Sequence, residues 1–426
     1  MRLSSAIGVL TPSPVPSGPW MARPAQRPRI RDVVLPARSR PLAEMRVLDV
    51  TEWYGSTSGG IRTYLNEKSA YVHARPSLHQ IMVVPGPEDL IDDQVGVRRY
   101  FVKGPRIPRH APYRLMLSTA TIERIVRHEQ PHLIEVGSPF IVPWLVRNAT
   151  QDLDIPLVYF HHSNVATSKL HGELRGAVTS GFTQALAGRY QRWLDELFPL
   201  TIAPSRSAMR ELKMQGIHRV RHVPLGVDLE LFTPARRAFQ HVTRIRMALP
   251  DTPLVGFVGR FAPEKQLMAV LDAWPHIERR TGARLVLVGA GPLEAKLRRH
   301  PYAPRVYFRP FEINRAQLAN LYAALDLCLA PGPAETFGLA ALEAMASGTP
   351  VLAPNCGAGA ELVEASGGGR LFAFGDQASL IDEAAALLRD DLVMLGRRGR
   401  RYAEQEHAWH GTFDRLFAIY RELTTR

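Results

Sequence analysis

From Met45 onward, short apolar runs alternate with segments of helical periodicity, and the alternation runs through twice. "MRVLDVT", "QIMVVPG", "VRRYFVKG", "HLIEVGS", "IPLVYFHH", "LTIAPS" and "VRHVPLG" have strand length and centre on apolar residues. Such runs bury both faces, which implies parallel sheets covered by helices on each side. Between the first two, "SGGIRTYLNEKSAYV" sets Ile61, Tyr64, Leu65 and Val72 near one helical face. Further helices are expected over about 113–129 and 169–195. A charged segment, "TPARRAFQHVTRIRMALPD", precedes a second series: "PLVGFVG", "RLVLVGAG", "RVYFRPF", "LDLCLAPG", "TPVLAPN" and "GRLFAF". "HAWHGTFDRLFAIYREL" adds one more amphipathic helix. The pattern predicts an α/β protein of two tandem parallel-sheet units, with a boundary near 230–250, and 426 residues suit two domains.

Residues 1–44 break this pattern. They are rich in Pro and Arg and poor in acidic residues. Too little apolar surface is present to offset the entropy of ordering, so a disordered tail is expected. The apolar part of "MRLSSAIGVLTP" is too short for a secretory signal, and an organelle-type targeting role is the weaker alternative. No apolar run reaches the roughly 18 residues that span a bilayer; Asp326 interrupts "LYAALDLCLAP". A cytoplasmic protein, soluble or peripheral on the membrane, is expected. Cys328 and Cys356 lack any C-x-x-C context and read as free thiols in a reducing compartment. A formal charge of +13 points to an anionic partner: nucleic acid, acidic lipid or a phosphorylated small molecule. A nucleic-acid binder is disfavoured, because interleaved aromatics and a compact basic recognition helix are missing.

In open parallel sheets ligands bind beyond the carboxyl ends of the strands, so chemistry is sought just after each strand. "VGFVGRFAPEKQL" places Arg260 after one strand and Lys265 at the start of the next helix. Two cations beside free helix N–H groups suit a diphosphate. "CLAPGPAETFGLAALEAMASG" is also strand, loop, helix, with the helix expected to open near Thr336–Phe337. Glu335 then precedes the helix and Glu343 lies within it, while the amides of Phe337, Gly338 and Leu339 face the cleft. Carboxylates repel a diphosphate but accept hydrogen bonds from the hydroxyls flanking it, which is the layout of a nucleotide sugar. Each residue also admits a plain structural role: Glu335 as a helix cap, Glu343 as a partner for an arginine, the cations as solvated surface. Two other motifs carry less. Asp152-x-Asp154 resembles a metal motif but precedes its strand, at the wrong sheet edge. Gly289-x-Gly291 is half a dinucleotide fingerprint and reads as a tight turn, since Glu294 stands at the third glycine position.

"GRFAPEK" followed by "ETFGLAALEAMASGTPV" resembles the retaining nucleotide-sugar glycosyltransferases of family 4, with their G-R-x-x-x-E-K and E-x7-E signatures. "SGGIRTYL", "VPLGVDLELFTP" and "HAWHGTFDRLFAIY" extend the resemblance over about 45–426. "MVVPGP", "HLIEVGSP" and "VYFHHSN" add a similarity to GDP-mannose-dependent α-mannosyltransferases that act on lipid-linked acceptors. The resemblance implies a GT-B fold, two Rossmann-like domains facing a cleft. Residues 45–235 would bind the acceptor, 236–405 the nucleotide sugar, and 406–426 would pack back on the first domain. It implies a hexosyltransferase whose donor is GDP-mannose or a UDP-sugar, with no cofactor and no essential metal. Arg260 and Lys265 would hold the diphosphate, Glu335 the sugar hydroxyls and Glu343 the ribose. The amides of Phe337, Gly338 and Leu339 would contact sugar and phosphate, and Gly59 and Gly60 would admit the donor close to the backbone. His162 matches the family's sugar-contacting histidine, with His161 as the alternative. Leu225-Gly226 stands where the family usually has Asn-Gly. The basic loop 103–114 would face anionic lipid headgroups. A sugar-nucleotide epimerase on the same fold is the rival enzymatic reading.

Overall fold

The computed structural model describes residues 44–55, 59–107, 113–162, 189–190 and 192–425. The expected tail, save Glu44, lies outside them, as does most of the helix expected over 169–195; residues 192–197 are helical.

The first sheet has eight strands: β1 Met45–Val50, β2 Leu78–Gly86, β3 Leu90–Gln94, β4 Val97–Lys103, β5 Leu133–Val136, β6 Leu157–Phe160, β7 Leu200–Ala203 and β8 Val220–His222, in the order β3-β4-β2-β1-β5-β6-β7-β8. β1 lies between β2 and β5, parallel to both, with Val47 opposite Gln80 on one side and Leu133 on the other. The second sheet has six: β9 Leu254–Val258, β10 Arg284–Val288, β11 Tyr307–Arg309, β12 Leu327–Leu329, β13 Val351–Pro354 and β14 Gly369–Phe372, in the order β11-β10-β9-β12-β13-β14. Its pairings are all parallel. In each sheet the chain builds outward one way, then returns to the middle and builds the other way. The reversals fall between β1 and β5 and between β9 and β12, where open α/β sheets leave a crevice.

The first sheet departs from the all-parallel expectation. β3 is antiparallel to β4, joined through Val95-Gly96, with Gly96 at φ +81°. A two-residue turn of that geometry reverses the chain and cannot make a crossover. β3 itself, "LIDDQ", carries too much charge to read as a strand. Its Asp93 pairs with Arg98 of β4 at 2.6 Å, and Asp92 lies 3.7 Å from Arg99. The helix expected over 113–129 is also shorter, Thr119–Glu129. Ser118 caps it by accepting from Thr121 N, while Arg114 upstream forms an antiparallel bridge with Arg106.

Helix Trp409–Thr424 crosses back and packs on helix Gly60–His73 of the first unit. Tyr71 donates to Asp414 at 2.6 Å and stacks on Phe417 with ring centroids 5.4 Å apart. Beneath them Lys68 is fully buried, 2.6 Å from Asp49 and 3.2 Å from Glu135. Gln80 donates to Asp49, Tyr64 donates to Glu135, and Tyr420 of the returning helix donates to Glu135 as well. Burial works against the Lys68 charge, but the two carboxylates outweigh it and raise its pKa, so the ammonium stays protonated.

Candidate functional site

The second sheet's crevice gathers the candidates. Arg260 follows β9 and is exposed, with no ion-pair partner among the described residues. Lys265 does not open the next helix as expected. It closes a separate 3₁₀ turn, Pro263–Lys265, and Gln266 intervenes at φ +54° before helix Leu267–Thr281 begins. The fixed φ of Pro263 suits the start of that turn. Across the crevice the loop after β12 brings Glu335, whose carboxylate forms an ion pair with Lys265. A Cβ on Gly332 of the same loop would sit 3.3 Å from Lys265 Cδ, so the loop lies directly on that side chain.

The following helix opens later than expected, at Leu339. Gly338 precedes it in the left-handed region at φ +85°, a conformation costly for any residue with a Cβ. The first carbonyl bonded into the helix is that of Gly338, from Leu342 N at 3.1 Å. Unbonded first-turn N–H groups therefore begin at Leu339; those of Phe337 and Gly338 belong to the loop. Nor is Glu335 a helix cap, since its carboxylate is turned to Lys265.

Glu343 lies inside helix Leu339–Ala346 and is buried, 7% exposed. Burial pushes its pKa up to about 7, against the nearby Arg315 charge and the Tyr322 hydroxyl, which pull it down. Arg315 begins helix Arg315–Ala324, which Asn314 caps by accepting from Ala316 N and Gln317 N. Its guanidinium forms an ion pair with Glu67 of the first unit. Neither Arg315 nor Glu67 is among the residues expected from sequence. A signal for Arg315 exists, because "EINRAQL" follows β11 at the carboxyl edge; Glu67 has none.

The first sheet supplies the opposite wall. Gly60 opens helix Gly60–His73, and a Cβ on it would stand 3.9 Å from Leu339 Cδ2. A Cβ on Gly59 would meet nothing within 4 Å, so the space beside it is open. His161 and His162 follow β6 and point to opposite faces. His162 stacks on Phe160 at 4.2 Å between ring centroids and meets the Tyr64 ring edge-on at 4.9 Å. Burial, helped by the Lys68 charge, lowers its pKa to about 3, so its imidazole is neutral at neutral pH. His161 is buried toward Tyr159, and burial lowers its pKa to about 4. Of the two, His162 touches the donor-side loop: its carbonyl accepts from Thr336 Oγ1 at 2.9 Å.

The remaining motifs are structural. A Cβ on Gly289 would lie 1.9 Å from Gly259 O, and one on Gly291 2.4 Å from Phe261 O, so the Gly-x-Gly turn allows two loops to touch. Asp152 pairs with Arg127 at 2.5 Å at the amino edge of the first sheet. Leu225 is buried, and its carbonyl lies 2.9 Å from His407 Nδ1. Cys328 and Cys356 are free thiols, which burial pushes up in pKa.

Cations, helix N–H groups and carboxylates thus meet where the two sheets face each other. Residues 58–231 match the family described as Glycosyltransferase Family 4, and residues 252–390 that described as Glycosyl transferases group 1. The chain is 31% identical over 329 residues to a GDP-mannose-dependent alpha-(1-6)-phosphatidylinositol dimannoside mannosyltransferase of Mycobacterium tuberculosis, covering 76% of this chain and 83% of that protein. A GDP-mannose-dependent alpha-mannosyltransferase of the same species is 29% identical over 365 residues, 83% of this chain and 91% of the relative. Among solved structures, sucrose-phosphate synthase from Thermosynechococcus elongatus superposes with a TM-score of 0.73 at 22% identity, over 89% of this chain and 99% of that one. The arrangement is the GT-B fold. With both halves matched, the chain belongs to the group 1, family 4 glycosyltransferases, enzymes that move a sugar from a nucleotide donor to an acceptor.

Proposed function

We propose that this glycosyltransferase moves a mannosyl residue from GDP-mannose to a hydroxyl of a lipid-linked glycan, with retention at the anomeric carbon. Residues 236–405 hold the donor and 45–235 the acceptor. The observation that carries the reading is the Lys265–Glu335 ion pair at the crevice of the second sheet, with Glu343 buried in the helix behind it. The names of the mycobacterial relatives support the choice of donor.

In this reading Arg260 and Lys265 bind the diphosphate, together with the N–H groups at Leu339 and the loop amides of Phe337 and Gly338. Glu335 orients Lys265 and accepts from the mannose hydroxyls; Glu343 accepts from the ribose. Gly59 and Gly60 leave room for the donor at the opposite wall, where the neutral His162 contacts the sugar. The bond from the anomeric carbon to the β-phosphate oxygen breaks, and its electron pair leaves with the phosphate. Lys265 and Arg260 meet that growing charge from fixed positions, which avoids reorganisation during the reaction. The acceptor hydroxyl enters on the face the phosphate leaves and passes its proton to the departing oxygen. No metal or cofactor has a role in this scheme.

A thermal-shift screen over GDP-, UDP- and ADP-sugars tests the donor, since a ligand that binds only the folded form raises the melting temperature. GDP-mannose is expected to give the largest rise. Release of GDP only when an acceptor is present supports transfer; release or isomerisation without one supports the epimerase reading.

The acceptor's lipid anchor calls for a membrane-facing surface. The bridge between Arg106 and Arg114 brings two cations of the basic 103–114 segment together, and its residues 108–112 lie outside the described residues. No helix among the described residues is long and apolar enough to cross a membrane, so contact with the cytoplasmic face would be peripheral. Co-sedimentation with acidic liposomes at low salt is the expected result; its absence would contradict this part of the reading.

A further inference from the structure

We infer that Thr336 is a positioning residue that registers the donor loop against the acceptor domain, an inference that rests on the donor assignment above. Thr336 directly follows Glu335 and is bonded across the cleft through both its hydroxyl and its carbonyl. Its hydroxyl donates to His162 O, beyond β6, at 2.9 Å. Its carbonyl accepts from Ser205 Oγ, beyond the neighbouring β7, at 2.7 Å. One residue of the second sheet's catalytic loop is thus tied to the carboxyl ends of two adjacent strands of the first.

The tie on the Ser205 side is preset. Ser205 caps helix Arg206–Met214 by accepting from Ala208 N at 3.0 Å, and this turns its single O–H toward Thr336. The same helix start is also held from the second unit, where the Glu361 carboxylate accepts from Arg206 N at 3.1 Å and Ser207 N at 2.8 Å. A carboxylate at a helix N-terminus satisfies free N–H groups and the helix dipole together. Arg315–Glu67 provides a separate tie on another pair of elements. When the cleft is shut, Glu335 and the sugar contact at His162 are fixed relative to each other through one intervening residue. When the units part, Thr336 loses both partners at once.

The test compares Thr336→Val, which keeps the shape and removes the hydroxyl, with Thr336→Ser, which keeps the hydroxyl. GDP-mannose turnover with acceptor, GDP affinity by calorimetry and melting temperature are read for each. Thr336→Val is expected to lower kcat about tenfold, the scale of one or two net hydrogen bonds. GDP affinity and melting temperature should stay near those of the unsubstituted protein, and Thr336→Ser should restore kcat. Ser205→Ala, which removes the other tie, should lower kcat in the same direction. Unchanged kcat in Thr336→Val, or equal losses in the Val and Ser variants, would overturn the inference. If Thr336→Val does not fold, the decision passes to Ser205→Ala and Thr336→Ser on the same criteria. Failure of the donor assignment appears in the unsubstituted protein, as absent GDP-mannose transfer, and would overturn both; failure of this inference alone appears only in the variants.

Discussion

Lys265 and Glu335 stand 70 positions apart in the chain and meet as an ion pair across the crevice between β9 and β12. Without ligand each satisfies the other. In the proposed donor complex the ammonium would turn to the phosphate while the carboxylate would keep one oxygen for the sugar. Lys265→Ala is therefore expected to fold normally and to lose about 10²–10³-fold in turnover, the scale of one removed charge-stabilising donor. Circular dichroism with a transfer assay checks it; near-normal turnover would end the leaving-group assignment.

The two glutamates should separate in binding experiments. Glu335→Ala is expected to leave GDP affinity within a few-fold and to abolish transfer. Glu343→Ala should weaken GDP binding itself by about 10-fold, the scale of a lost hydrogen bond to a charged group. Calorimetric titration with free GDP distinguishes them, and equal losses in both variants would contradict the assigned roles.

Glu343 also gives a pH dependence with a definite sign. Its folded pKa, about 7, lies above the ordinary 4.5. Between those values the folded state holds the proton more tightly than the unfolded chain. Its contribution to stability is thus fully present below pH 4.5 and is lost as pH rises through 7. Glu343→Gln should flatten the fall in stability between about pH 5 and 8 by about 1–3 kcal/mol. Urea melts of both proteins at several pH values measure the difference. Asp49, also raised to about 7 by burial, is common to both and cancels.

The alternation of apolar runs and helical segments makes the two sheets readable in the sequence, and the rule of looking beyond strand ends locates Lys265 and Glu335. The departures have different causes. β3 hides because Asp92 and Asp93 lower its apolar content, and the arginines that compensate them lie on the next strand. The later start of helix Leu339–Ala346 depends on Gly338 taking a left-handed conformation that the surrounding loop imposes. Thr336, Ser205, Glu361 and Glu67 are ordinary residues locally; their partners are 131 to 248 positions away. Periodicity and motif spacing report on neighbours along the chain and are silent about contacts made only when the two units meet.

The buried Lys68 cluster offers a stability test. Lys68→Met removes the cation that compensates Asp49 and Glu135 and leaves two carboxylates buried. Such a loss is expected to cost about 3–5 kcal/mol. Urea unfolding at neutral pH measures it. A loss below about 1 kcal/mol, the range of an exposed pair, would mean the cluster is open to water.

That cluster has an implication for how the protein can be dissected. Tyr420 supplies a hydroxyl to Glu135 from a helix that follows the entire second sheet. A fragment ending before the second sheet would carry Lys68, Asp49, Glu135, Gln80 and Tyr64 without the Tyr420 hydroxyl, and Tyr71 without Phe413 beside it. During synthesis the charged centre of the first unit is likewise incomplete until the chain has run through the second sheet to Tyr420. The two units are distinct in architecture but share one buried centre.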